Sequence, residues 1–256
     1  MPNPVASLSR RLKSGDHLAL AWTGFADPSV PESLVRLGYD VALVDLQHGA
    51  WTFDTACAAI SACNGAGKPC LARIPVGDFA LASRLLDAGA AGIVAPMINS
   101  VEDAVAFADF CKFPPLGRRS WGPMRAIMSL GLDGPDYLRQ ANGLQVAIAM
   151  IETRAALDAL DAILDTPGID GVLVGPSDLS IALSGGTLNP DAPEVDEALT
   201  RVAEACRARG KTAAVFCFGG AQALKLHKRG FQLATYSYDH GLLMRAAAAE
   251  LAAGRE

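Results

Sequence analysis

The chain has 256 residues, 51% of them hydrophobic and 19% charged, with a net charge of −5. Such a composition supplies a sizeable core and excludes a disordered chain. The acidic balance, with a pI near 5.4, leaves no basic footprint for nucleic acid, and every apolar run falls short of the roughly 18–20 residues of a membrane span.

Val5 to Lys13 reads as a short amphipathic helix and His17–Trp22 as a first strand. A helix from Pro31 to Leu37 stops at Gly38. A second strand starts at Val41 and ends in Asp45-Leu46-Gln47-His48-Gly49; a helix near Phe53–Cys63 follows. Cys70–Ile74 is a third strand, Phe79–Ala88 a helix, Gly92–Pro96 a fourth strand and Val101–Cys111 a helix. The stretch 113–143 breaks the rhythm with Pro114-Pro115, Trp121-Gly122-Pro123 and Gly134-Pro135. It is too long for an ordinary connection, which predicts a lid, a binding loop or a subunit contact. The alternation then resumes. Gln145–Ile151 reads as a strand, Arg154–Leu164 as a helix and Gly171–Gly175 as a strand. Pro193–Arg209 is a helix, Thr212–Cys217 a strand, Ala221–Arg229 a helix, Leu233–Ser237 a strand and Leu242–Ala252 a last helix.

Repeated right-handed strand–helix units of this length predict one domain over residues 1–256, a closed (β/α)₈ TIM barrel. An open doubly wound sheet is the alternative, although no G-x-G-x-x-G follows the first strand. The six cysteines, Cys57, Cys63, Cys70, Cys111, Cys206 and Cys217, include no C-x-x-C pair. They read as buried free thiols in a reducing compartment, which favours the cytoplasm and argues against zinc. Met1-Pro2-Asn3-Pro4-Val5 lacks the pattern of a signal peptide.

In a barrel, chemistry sits where strands end. Strand two ends in Asp45, Gln47 and His48, strand three in Arg73, strand five in Glu152 and strand six in Ser177 and Asp178. Of the four histidines, His48 is the one read at such an end; it serves as a base or only satisfies its loop. Two carboxylates, Glu152 and Asp178, repel unless compensated, and a hard divalent cation such as Mg²⁺ or Mn²⁺ suits them. Glu152 alternatively caps the next helix. The free N–H groups of Ser177 and Asp178 can hold a substrate carboxylate. Arg73 grips the same group, or pairs with Asp45, or both. No lysine is placed at a strand end, which argues against a Schiff base.

Seven segments, in order, carry a resemblance: Val44-Asp45-Leu46-Gln47-His48-Gly49, Ala72-Arg73-Ile74-Pro75-Val76-Gly77, Leu86-Asp87-Ala88-Gly89-Ala90, Ala95-Pro96-Met97, Phe113-Pro114-Pro115-Leu116-Gly117, Ile151-Glu152-Thr153 and the run Gly171–Ser180. Across nearly its whole length the chain resembles the metal-dependent class II pyruvate aldolases of the 4-hydroxy-2-oxoheptanedioate aldolase type. The resemblance implies reversible cleavage of a 4-hydroxy-2-oxo acid to pyruvate, or hydroxypyruvate, and an aldehyde. It implies a divalent cation (Mg²⁺ or Mn²⁺, with Co²⁺ possible) on Glu152 and Asp178, and Arg73 on the 2-oxo acid. It implies His48 as base, paired with Asp87. It also implies a homo-oligomer, a dimer or a trimer of dimers, with the last helix swapped between partners. Asp87 lies near a helix end, far from its own strand ends, so it is expected to act across a subunit interface or to be a plain surface residue. Gln47 departs from the Glu of some members. The aldehyde acceptor is expected to meet the 113–143 segment, Phe216 and Phe218. Arg118, Arg119 and Arg125 are candidates for an acidic acceptor tail or for interface charges. The rivals are a phosphate-binding barrel using Cys217-Phe218-Gly219-Gly220 and a non-catalytic 2-oxo acid binder.

Overall fold

The structure is a computed structural model that describes residues 4–255. Eight parallel strands close in sequence order into a barrel. They are β1 (Leu18–Thr23), β2 (Val41–Asp45), β3 (Cys70–Arg73), β4 (Gly92–Ala95), β5 (Val146–Ile151), β6 (Gly171–Val174), β7 (Thr212–Val215) and β8 (Leu233–Tyr238). The open-sheet alternative is thereby excluded. Most strand residues are apolar on both faces because both are covered, as parallel strands require, with Thr235 and Ser237 of β8 among the buried polar exceptions. Alternate residues point inward: Leu20, Leu43, Leu71, Val94, Ile148 and Leu173 fill the barrel. Their neighbours, among them Ala42, Val44, Ala72, Ile93, Ala149 and Val174, pack outward against the helices.

The first helix, α1 (Pro4–Lys13), sends Val5, Leu8 and Leu12 into the inner cluster and seals the amino ends of the strands. The outer layer continues with α2 (Ser29–Leu37), α3 (Phe53–Gly65), α4 (Phe79–Asp87) and α5 (Val101–Cys111). Most are capped as their sequences suggest. Thr52 and Ser100 accept the N–H of Thr55 and Asp103, closing the first turns of α3 and α5.

The 113–143 segment is not an irregular loop. It holds α6 (Met124–Leu130) and α7 (Gly134–Leu144), and Phe113, Ala126, Tyr137 and Ala141 form its own small core. The Pro and Gly residues that suggested irregularity sit at helix boundaries, where Pro123, Gly131 and Pro135 start or stop a helix. The segment also lies at the amino-terminal end of the barrel. It links the end of α5 to the start of β5, and Ser9 of α1 donates to the Gly143 carbonyl at 2.5 Å. It therefore cannot cover the strand ends of its own barrel.

Three smaller corrections concern helices. The stretch 154–164 is two short helices, α8 (Arg154–Asp158) and α9 (Leu160–Asp165), joined at Ala159. The turn expected after β6 is a nine-residue helix, α10 (Pro176–Ser184). The last helix starts earlier than its apolar pattern implied. After α11 (Pro193–Arg209) and α12 (Gly220–Arg229), α13 runs Asp239–Ala253. Only its first residue is buried, and Leu243, Met244 and Leu251 stand more than half exposed. All six cysteines are free thiols, five of them buried.

Candidate active site

The carboxyl ends of the strands surround a cavity of about 560 Å³, within the range of small-molecule sites. Asp45, the last residue of β2, organises one wall. Its register partner on β3 is Arg73. Arg73 donates from Nε to Asp45 Oδ1 at 2.8 Å and from Nη2 to Oδ2 at 2.6 Å, a fork on a carboxylate. Trp22 donates its indole N–H to Asp45 at 3.2 Å and lies under the guanidinium at 4.8 Å. Burial alone would raise the Asp45 carboxyl, but the Arg73 hydrogen bonds and charge outweigh it and hold it below the usual carboxylate value.

Asp45 also shapes the loop that follows it. Its Oδ1 accepts the N–H of Gln47 at 3.1 Å and of His48 at 3.3 Å. The turn closes onto Gly49, where a Cβ would come within 2.3 Å of the Asp45 carbonyl oxygen and 2.9 Å of Gly24 Cα. Glycine is therefore required there, and His48 is delivered to the cavity mouth with its ring exposed. Of the two roles expected of Arg73, the structure shows the pairing with Asp45. Arg73 also lines the cavity, where Nη1 meets only Met150 Sδ at 4.0 Å.

Glu152 does not cap α8; Thr153 does, accepting the Ala156 N–H. Glu152 is buried, and its Oε1 accepts the Met97 N–H at 2.7 Å. Met97 reaches that position with φ 55°, a left-handed backbone that costs a non-glycine residue roughly 1–2 kcal/mol. Burial raises the Glu152 carboxyl above its usual value, and the negative charge of Asp178 adds to the rise. Among the described residues neither carboxylate has a salt-bridge partner in the structure. Asp178 lies in the first turn of α10, exposed at the cavity. Pro176 has no N–H, and no side chain caps the helix, so the Ser177 and Asp178 N–H groups have no intrahelical partner.

The donor chemistry fits a hard cation. Glu152 and Asp178 lie close enough for the charge of one to act on the other, neither has a salt-bridge partner among the described residues, and a Cβ at Gly175 would lie 3.1 Å from Glu152 Oε2, so glycine keeps that side of the carboxylate open. Among the described residues no third His, Cys, Asp or Glu joins them, which leaves the remaining ligand positions to water and substrate oxygens.

Asp87 is not in the cavity of its own barrel. It ends α4 at the amino-terminal side, where Arg119 Nη2 donates to it at 2.6 Å. Arg119 is otherwise buried against Gln145 and Tyr137. Arg118 pairs with Asp109, and Arg125 reaches Ser61. None of these arginines approaches the cavity of its own chain. Gln47 keeps a buried side-chain oxygen, Oε1, without a partner.

Several lining residues escaped the sequence reading: Trp22, Phe25, Met150, Tyr238, Asp239 and His240. The last three follow the expected end of the eighth strand; the structure carries β8 on to Tyr238 and starts α13 at Asp239. His48 is accordingly not the only histidine at the mouth. Asp239 Oδ2 accepts the N–H of Gly24 at 2.9 Å and of Phe25 at 2.8 Å, tying the loop after β1 to the start of α13. The segment offered for phosphate presents the Phe218 ring to the cavity, while its N–H is taken by Gln222.

The chain is similar to known aldolases over most of its length. A hydroxypyruvate/pyruvate aldolase of Rhizorhabdus wittichii is 38% identical over 225 residues, 88% of each chain. A 4-hydroxy-2-oxo-heptane-1,7-dioate aldolase of Salmonella dublin is 33% identical over 93% of this chain and 90% of its own. The crystal structure of an HpcH/HpaI aldolase from Desulfitobacterium hafniense superposes with a TM-score of 0.90 at 28% identity, over 97% of this chain and 96% of that one. Residues 18–246 match the family described as HpcH/HpaI aldolase/citrate lyase, and the chain belongs to that family.

Proposed function

We propose that the protein is a divalent-metal-dependent aldolase that reversibly cleaves 4-hydroxy-2-oxo acids to pyruvate, or hydroxypyruvate, and an aldehyde. The observation that carries this reading is the pairing of two features at the carboxyl ends of the strands, where Arg73 and Asp178 line the cavity and Glu152 is buried behind Gly175. Arg73 is locked on Asp45 while Nη1 meets only Met150 Sδ among the described residues, and Glu152 with Asp178 forms a carboxylate pair that no described residue salt-bridges, although the Arg73 charge reaches Glu152.

Glu152 and Asp178 would hold the cation, Mg²⁺ or Mn²⁺, with Co²⁺ a third candidate. When bound it supplies positive charge that polarises the 2-oxo group of the donor. The chain's own groups do the rest. The Ser177 and Asp178 N–H groups take the donor carboxylate at the start of α10. Arg73 Nη1 hydrogen-bonds the oxygen on which negative charge develops, and the Asp45 fork keeps it aimed there. His48 takes a proton from C3; imidazole is the side chain suited to carry one near neutral pH. The C3 electron pair then forms a bond to the aldehyde carbon, and the proton returns to the aldehyde oxygen. Cleavage is the same sequence reversed.

Asp87 is assigned as the partner of His48 from a neighbouring copy. Its position at the amino-terminal side leaves it no route to His48 within one chain. The exposed apolar side chains of α13, together with Met124 and Met128 on α6, supply surface for a homo-oligomer, a dimer or a trimer of dimers with α13 exchanged. No described helix is long and apolar enough to cross a membrane, and a cytoplasmic location accords with the six free thiols.

The direct test is loss of the pyruvate methyl proton signal in D₂O, first with Mg²⁺ or Mn²⁺ and then with chelator. Metal-dependent exchange is expected. Exchange that survives the chelator overturns the role given to Glu152 and Asp178. No exchange with bound pyruvate or hydroxypyruvate leaves only the 2-oxo acid binder.

A further inference from the structure

The cavity has two unlike halves. The half used by the proposed chemistry is polar, built from Asp45, Arg73, Ser177 and Asp178. The other half is an unbroken arc of rings. Trp22 meets Phe216 edge to face at 5.2 Å, and Phe216 meets Phe218 in the same way at 5.3 Å. Phe216 also contacts Tyr238 at 6.2 Å, Tyr238 contacts His240 at 6.2 Å, and His240 contacts Phe25 at 5.9 Å. The arc therefore starts beside the Arg73 guanidinium, which rests on Trp22, and ends at the mouth.

Two of these rings are held open to solvent. Phe25 is 40% exposed and Phe218 45%, although both are fixed by neighbours. Phe218 has its N–H bound by Gln222, and Phe25 has its N–H bound by Asp239. Apolar rings kept uncovered on rigid backbone at the rim of a cavity gain most from an apolar ligand. The charge inventory points the same way. Arg73 is the one Lys or Arg among the described lining residues. Its free donors are already assigned to the 2-oxo acid. Within the single chain, a second carboxylate carried by the acceptor would face aromatic rings and the Asp239 carboxyl, with no further guanidinium or ammonium among the described lining residues to receive it.

We infer that the acceptor is an uncharged aldehyde bearing an apolar ring or branched chain, seated on the Trp22–Phe216–Phe218 and Tyr238–His240–Phe25 arc. This deepens the aldolase reading and rests on it.

The test uses the purified enzyme with Mn²⁺ and hydroxypyruvate. The acceptors are phenylacetaldehyde and succinic semialdehyde, and the readout is the ratio of their kcat/KM values. A ratio of ten or more in favour of phenylacetaldehyde is expected; any smaller ratio overturns the inference. Phe218→Lys places a cation in the arc and is expected to lower the ratio at least tenfold, whereas an unchanged ratio overturns it. If circular dichroism shows that variant to be misfolded, Phe25→Lys at the rim carries the same expectation. Exchange of the donor C3 protons in D₂O, which needs no acceptor, is recorded in parallel. Its absence refutes the aldolase reading itself; exchange without the apolar preference refutes only the acceptor assignment.

Discussion

The two ends of the barrel each bury cations beside aromatic rings, and they use them differently. At the carboxyl ends Arg73 lies over Trp22 at 4.8 Å and forks onto Asp45. At the amino ends Arg119 lies over Phe113 at 4.6 Å and donates to Gln145, Asp87 and Tyr137. Beside it Lys112 is 1% exposed and spends its three donors on the Asn142 carbonyl at 2.9 Å, the Gln145 carbonyl at 2.6 Å and Asp170 at 2.7 Å. Lys112 is saturated and sealed, and it clamps the end of α7 to Asp170 just before β6. Arg73 keeps Nη1 free at a cavity. Burial and pairing are thus common to a structural cation and a working one. What separates them is unspent hydrogen-bond capacity with space in front of it.

The strongest way to break this contrast is Arg73→Lys. Lysine keeps the charge but concentrates its donors on one nitrogen, so it cannot fork onto both Asp45 oxygens from two nitrogens while a third nitrogen faces the substrate. We expect kcat/KM to fall roughly 100- to 1,000-fold, the scale of losing an oxyanion donor. Aldol kinetics at saturating Mn²⁺ measure it, and a change below threefold would show that the free Nη1 does nothing. Lys112→Met is the counterpart. It leaves Asp170 and two buried carbonyls short of a donor, and should lower unfolding stability by about 3 kcal/mol. The donor exchange rate per folded molecule should stay as it was. Urea melts and exchange rates report the two quantities separately; a tenfold loss of exchange with normal stability would place Lys112 in the chemistry.

Much of this organisation is readable from the residues in a row. The strand–helix alternation announces the barrel, and the abrupt change from Val44 to Asp45, or from Ile151 to Glu152, marks a site because an apolar strand has just left the core. The pairing of Asp45 with Arg73 follows once β2 and β3 are neighbours. The aromatic arc is not readable in that way. Trp22 comes from β1 while Phe216 and Tyr238 come from the far end of the chain, and only closure of β1 onto β8 makes them neighbours. The helices of 113–143 were hidden for a different reason: Pro and Gly mark helix boundaries as well as loops, and the apolar cluster of Tyr137 and Ala141 is formed with residues of their own segment. Asp87 is legible as a position but not as a contact, since its partner Arg119 belongs to that same segment.

A milder test sharpens the electrostatic half of the contrast. Asp45 is held below its unfolded value, so its ionisation stabilises the fold above the unfolded pKa of about 3.9. That contribution is lost as pH falls through the depressed folded value. The unfolding free energy of the unaltered protein should therefore drop in acid below about pH 4, and Asp45→Asn should remove that part of the slope. Urea titrations from pH 7 to pH 2.5 compare the two. Equal slopes would mean that the Arg73 fork confers no preference for the ionised carboxylate.

The smallest effect is expected at Arg118. Its pairing with Asp109 resembles that of Arg73 with Asp45 on paper, a guanidinium on a carboxylate. Yet its side chain is 84% exposed, so water competes for every donor and salt screens the charge. It also stands at the amino-terminal end, beyond reach of its own cavity. Arg118→Ala should leave the urea midpoint unchanged within error and leave the phenylacetaldehyde to succinic semialdehyde ratio where it was. A selective fall in kcat/KM for succinic semialdehyde would show instead that Arg118 serves the site of a neighbouring copy. An exposed cation would then be a working one, and the distinction drawn between the two ends would have to be made for the assembly rather than for the single barrel.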